Sequence, residues 1–428
     1  MQRNVYDSVK ETLYYEKLAN GLDVYMLPKP GFQKTYATFA TRYGSIDNHF
    51  QVEGGKEVRV PDGIAHFLEH KMFEEPEGDI FSTFASQGAS ANAFTSFDRT
   101  VYLFSATERI AENLTTLVNF VQNPYFTDAN VEKEKGIIAQ EIKMYQDHPD
   151  WRCYYGLIEA MYREHPVRID IAGTVSSISQ ITKETLYECY RTFYHPGNMM
   201  LFVVGGVDPE EVFALIRENQ EGKHFENQGA VRRFYPQEPP GVAMKKKVVH
   251  LPVSLPKCLF GFKETVNGLE GRELLELELG TKLMLEILYG QSSDYYQSLY
   301  DEHLISDQFG YDFQCSRDYA FSMIGGETRD PELLLSRVEA QFNEALEKGI
   351  GEADFERCKR KRIGAFLRML NSPEAIANQF SNYQFKGCNL FDILPVYESL
   401  TLDRINSRLR EHVKWEQFAV SIVTGDSV

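Results

Sequence analysis

The two halves of this chain repeat one another, and that repetition narrows its possible folds more than any other feature. Residues 63–70 read GIAHFLEH and residues 280–287 read GTKLMLEI. A strand-like stretch follows each, FTSFDRTVYLFSATE from Phe94 and FQCSRDYAFSMIGGE from Phe313. Each half then offers a long amphipathic helix, near 128–146 and near 352–370, and closes on a Thr-Leu helix followed by an apolar strand. Order and spacing carry the repeat more than identity does. Strands and helices mix without strict βαβ alternation, so the expected class is α+β, two homologous domains each with a largely antiparallel sheet packed by helices. The polar stretch at 221–240 contains Pro236, Pro239 and Pro240, which bar regular pairing. The expected division is therefore 1–220, a linker at 221–240, and 241–428.

The 428 residues include 62 acidic and 45 basic side chains, a formal charge of −17. That balance argues against nucleic acid, whose phosphates call for clustered Lys and Arg, and leaves room for basic peptides. No run of about 18 apolar residues occurs, so no membrane span is expected, and the first residues do not read as a leader. Cys153, Cys189, Cys258, Cys315, Cys358 and Cys388 are scattered and read as reduced thiols, with the cytoplasm as the default location.

Chemistry concentrates in His66-Phe67-Leu68-Glu69-His70. Ile64, Phe67 and Leu68 supply the apolar face of a helix, with Asp62 as the expected N-cap. Histidines at i and i+4 stack on one helix face, where both imidazoles reach one metal ion. Glu69 lies beside them and touches a metal-bound water without occupying a coordination position, the inverted HxxEH order. A third ligand is needed. Glu134 and Glu141 lie two helical turns apart, in an apolar stripe with Ile138 and Tyr145. A buried carboxylate there needs a partner: a metal satisfies Glu141, and a histidine ring N–H satisfies Glu134. In the second half Leu283, Ile287 and Ala365 replace His66, His70 and Glu141, so this chemistry belongs to one copy. The histidines at 49, 148, 165, 195, 224, 250, 303 and 412 have no ligand spacing and read as surface or loop residues.

With these residues in view, the chain resembles the inverted-motif zinc peptidases that include pitrilysin, insulin-degrading enzyme and the mitochondrial processing peptidase. Leu18-Ala19-Asn20-Gly21-Leu22 is similar to the family's opening strand, QGASANAFTSFD to its substrate-strand segment, and VEKEKGIIAQEI to its third-ligand helix. His165-Pro166, Gly173-Thr174 and FYHPGNMMLFVVGGVDP continue the order, so the likeness covers nearly the whole chain. The short type from Gram-positive bacteria, with two homologous domains, is the most similar.

The resemblance implies Zn2+ held by His66, His70 and Glu141, Glu69 as general base, and Glu134 as support behind a ligand. It implies that Asn92 and Ala93 lie on an edge strand to which a peptide pairs. It implies half of a clamshell that closes a chamber around peptides or small unfolded proteins, and a dimer. The family's second half carries an Arg and a Tyr seven residues apart that hold substrate and the oxyanion. Here Tyr311 is kept and Leu304 stands at the arginine position. The expectation is a related partner chain that supplies the Arg/Tyr pair. The alternative from another class is a noncatalytic or scaffolding subunit of a peptidase heterodimer.

Overall fold

The computed structural model describes residues 1–76, 78–266 and 268–425. Twelve strands build its two main sheets. Seven belong to the first: β1 (Gln2–Tyr6), β2 (Glu11–Lys17), β3 (Asp23–Pro28), β4 (Thr35–Thr41), β5 (Ala89–Thr95), β6 (Thr100–Ala106) and β7 (Met199–Gly205). Their order is β1-β2-β3-β7-β4-β6-β5, antiparallel except for β7 beside β3. The second sheet contains β8 (Lys246–His250), β9 (Lys257–Glu264), β10 (Gly310–Cys315), β11 (Ala320–Glu327) and β12 (Phe418–Thr424), in the order β8-β12-β9-β11-β10. The single parallel pair recurs as β12 beside β8. Strand for strand this matches β3-β7-β4-β6-β5, so the repeat read from the sequence is a repeat of topology, and the class is α+β.

Among the helices that pack on these sheets or carry the side chains of interest are α1 (Ile64–Met72), α2 (Asp128–Gln146), α3 (Pro149–Met161), α4 (Gly271–Tyr289), α5 (Glu352–Met369) and α6 (Pro373–Phe385). Two compact units result, and neither is continuous in sequence. The first unites 1–142, 169–235 and 368–385; the second unites 143–168, 236–367 and 386–428. Each unit thus takes one helix from the other half of the chain, α6 in the first and α3 in the second.

Pleating explains what each helix covers. In the first unit Val24, Met26, Ala37, Phe39, Leu201 and Val203 alternate onto one face of the sheet and join the core with α1. Tyr25 and Phe202 turn to the opposite face, where the Phe380 ring of α6 stacks on Phe202 at 4.2 Å and meets Tyr25 edge-on at 5.0 Å. With both faces covered, every residue of β4 and β7 is buried. In the second unit α3 lies on β12, and Cys153 Sγ donates to the Ser421 carbonyl at 3.5 Å. Gly156 permits that approach, since a Cβ there would sit 2.4 Å from Ser421 Oγ.

Two local expectations change. Val231–Arg233 pairs with Phe50–Val52, so the 221–240 stretch carries a short strand before its prolines. His165 lies in a loop but is buried there, and His412 is buried at the end of a helix, not on the surface. His412 bonds Glu264 through Nδ1 and Ser322 Oγ through Nε2, the latter at 3.0 Å, and such partners are what a buried imidazole requires. Among the described residues no helix is long and apolar enough to cross a membrane.

Candidate metal centre

Helix α1 begins at Gly63, whose φ of 88° is left-handed, and not at an Asp62 cap. Asp62 is otherwise engaged: its carboxylate accepts from Asn48 at 2.6 Å and its carbonyl from Ser177 Oγ at 2.8 Å. From that start Ile64, Phe67 and Leu68 enter the core, while His66 and His70 emerge together on the neighbouring face with ring centroids 4.5 Å apart. Helix α2 presents Glu134 and Glu141 to the same place, with Val131, Ile138 and Ile142 buried beneath.

One ligand atom from each of His66, His70 and Glu141 lies within 4.8 Å of the other two, the one such trio among the described residues. His66 Nε2 is 3.7 Å from Glu141 Oε1, and His70 Nε2 is 3.6 Å from Glu141 Oε2. Tetrahedral zinc with bonds of 2.0–2.2 Å sets its ligands about 3.3–3.6 Å apart, so small side-chain adjustments suffice. Behind the trio, His70 Nδ1–H donates to Glu134 Oε1 at 3.1 Å, which turns Nε2 toward Glu141. His66 Nδ1 is buried with no hydrogen-bond partner, and burial, then the neighbouring His70, lowers its pKa to about 3. A neutral imidazole of this kind is a metal ligand in waiting. The donor set fits zinc.

Glu69 follows His66 by three residues and is 8 % exposed. Burial raises its pKa, opposed by a 2.7 Å hydrogen bond from Thr95 Oγ1 and by His70. Burial also acts upward on Glu134, but the His70 hydrogen bond and the Lys71 charge outweigh it and hold that carboxyl below the usual range. For His70 the balance tips the other way: burial lowers its pKa, and the Glu134 hydrogen bond with the Glu69 and Glu141 charges raises it overall.

Asn92 and Ala93 lie on β5, which pairs only with β6 among the described strands and is an open edge. Asn92 is exposed, and its Oδ1 accepts the Ala93 N–H at 2.9 Å. The same strand ends at Thr95, which sequence reasoning passed over although it sits three residues after Asn92. Lys71, fully buried beside His70, was also missed; a lysine after a helical motif gives no sign of burial in the sequence.

Tyr311 belongs to the second unit. It donates to the Glu286 carboxylate and accepts from Arg362 Nη2 at 2.8 Å, and burial pushes its hydroxyl pKa well up. Leu304 is buried at 4 % exposure. Glu286 occupies the position that matches Glu69 in the repeat. Lys361 Nζ, on α5, binds it at 2.6 Å, with Arg362 beside it at 3.4 Å. Where the first unit gathers histidines and carboxylates, the second gathers cations around one carboxylate.

Residues 54–175 match the family described as Insulinase (Peptidase family M16), and residues 180–362 match the Peptidase M16 inactive domain. The chain belongs to peptidase family M16, a family of zinc proteases. It is 52 % identical to the uncharacterized zinc protease YmfH of Bacillus subtilis (strain 168), over 99 % of both chains. The crystal structure of an M16-like peptidase from Alicyclobacillus acidocaldarius superposes with a TM-score of 0.95 at 45 % identity, covering 97 % of this chain and 99 % of that one. A protease from Helicobacter pylori, at 21 % identity and a TM-score of 0.84, shares the fold over 96 % of this chain and 99 % of its own.

Proposed function

We propose that this chain is a zinc-dependent endopeptidase acting on extended peptides, with His66, His70 and Glu141 as ligands and Glu69 as general base. The observation that carries the reading is the convergence of three ligand atoms within 4.8 Å beside a buried carboxylate whose pKa is raised. When bound, zinc supplies Lewis acidity, which makes water acidic enough to attack at neutral pH and polarises the scissile carbonyl. Glu69 accepts the proton of the attacking water and returns it to the leaving amine. Thr95 fixes the Glu69 carboxylate while that proton moves. Glu134 keeps His70 in the tautomer that offers Nε2. The open edge of β5 at Asn92 and Ala93 offers backbone groups to an extended peptide, so substrate adds as a strand along the chain segment that also holds the base.

The oxyanion needs a donor. Tyr311 commits its hydroxyl hydrogen bond to Glu286, and Leu304 replaces the expected arginine. We therefore infer that a related chain with an intact Arg/Tyr pair completes the active assembly. A quenched peptide library tests both points. The zinc-loaded chain alone should cleave weakly and gain at least tenfold with its partner, and Glu69→Gln should abolish cleavage in either setting. Normal turnover by Glu69→Gln would sink the mechanism, and full activity of the single chain would remove the partner.

A further inference from the structure

Lys71 carries a charge and yet has no solvent exposure at all. Lysine is almost never fully buried unless paired, and the pairing here is specific. Its ammonium bonds Glu74 on one side and lies 3.5 Å from Glu134 Oε2 on the other. Glu134 gives its second oxygen, Oε1, to His70 Nδ1 at 3.1 Å. One carboxylate is thus gripped at both ends, by Lys71 and by the ring of a candidate ligand.

We propose that Lys71 is a positioning residue of the metal site: it holds Glu134 in the orientation that fixes the His70 ring for zinc. This rests on the zinc reading of the trio. A ligating histidine needs its far nitrogen protonated and anchored, and the anchor works only if it cannot turn. Glu134, 7 % exposed, has little water to hold its outer oxygen, so without Lys71 that oxygen has no fixed partner and the carboxylate is free to rotate about its own stem. The His70 ring then loses its fixed angle. Lys71 acts through Glu134 and does not itself meet substrate.

A buried ion pair can serve stability alone, and Glu74 separates the two roles. Glu74→Gln weakens the pairing of Lys71 but leaves the ammonium on Glu134; Lys71→Met removes it. The full-length chain is loaded with zinc, and release to a colorimetric chelator is timed alongside thermal melting. Lys71→Met should release zinc severalfold faster than wild type, up to the roughly 10- to 100-fold loss of affinity that follows removal of a group bonded to a ligand, while Glu74→Gln stays near the wild-type rate. If Lys71→Met does not fold, Lys71→Gln, which keeps most of the stem and loses the charge, is read in the same way. Wild-type release rates in the Lys71 variant, or equal acceleration in both variants, would overturn the proposal. A wild-type chain that takes up no zinc would instead overturn the metal reading, and this inference with it.

Discussion

At the scale of single residues, the candidate site is a set of carboxylates given different tasks by different neighbours. Glu141 faces two imidazoles, Glu134 lies between His70 and Lys71, and Glu69 takes a hydroxyl. The spacing of His66, His70, Glu134 and Glu141 was legible because helical periodicity alone puts each pair on one face of its helix. Thr95 and Lys71 were not, because a threonine in a strand and a lysine on a helix read as ordinary until the neighbouring elements pack. Thr95→Val tests one of these directly. A hydrogen bond to a charged group contributes about 1.5–3 kcal/mol, so kcat/KM should fall by roughly 10-fold or more while zinc content is unchanged. Zinc loss in that variant would place Thr95 in metal binding instead.

At the scale of elements, the start of α1 decides where both histidines point. Gly63 adopts a φ of 88°, and a Cβ there would lie 2.4 Å from the Ala172 carbonyl oxygen. Gly63→Ala should cost about 2–4 kcal/mol, from left-handed strain plus the steric clash, measured as a fall in the unfolding midpoint of the first unit. An unchanged midpoint would mean that the turn relaxes freely. Asp62 looked like the cap because its type suits one; Asn48 and Ser177, distant in sequence, claim its oxygens instead. The exchange of α3 and α6 was hidden for a related reason. An amphipathic pattern says that Phe380 must be buried, but not that Phe202 and Tyr25, from the other half of the chain, will bury it.

At the scale of the whole molecule, one repeated topology carries two different polar clusters. The repeated sheet order was foreshadowed by the paired segments, and Leu283 and Ile287 in place of histidines set the second copy apart from the first. What replaced the histidine set was not visible, since Glu286, Lys361 and Arg362 meet only through the packing of α4 and α5. The second unit also has its own acid sensitivity. Glu278 is buried between Lys282 at 2.8 Å and Lys386 at 3.2 Å, and although burial opposes it, these charges lower its pKa to about 2. A carboxyl with an unfolded value of 4.5 and a folded value near 2 stabilises fully above 4.5 and loses that contribution as pH falls toward 2. The melting temperature of the second unit should therefore drop across that window, and Glu278→Gln should lower stability at neutral pH by about 3–5 kcal/mol while flattening the drop. An equally steep acid transition in the variant would assign it to other groups. In the proposed function His66, His70 and Glu141 hold zinc while Glu69 does not. Zinc content by mass spectrometry, compared across wild type, Glu69→Gln and Glu141→Gln, tests it most directly. The expected result is a full complement in wild type and Glu69→Gln and a marked loss in Glu141→Gln; unchanged zinc in Glu141→Gln, or its loss in Glu69→Gln, would contradict it.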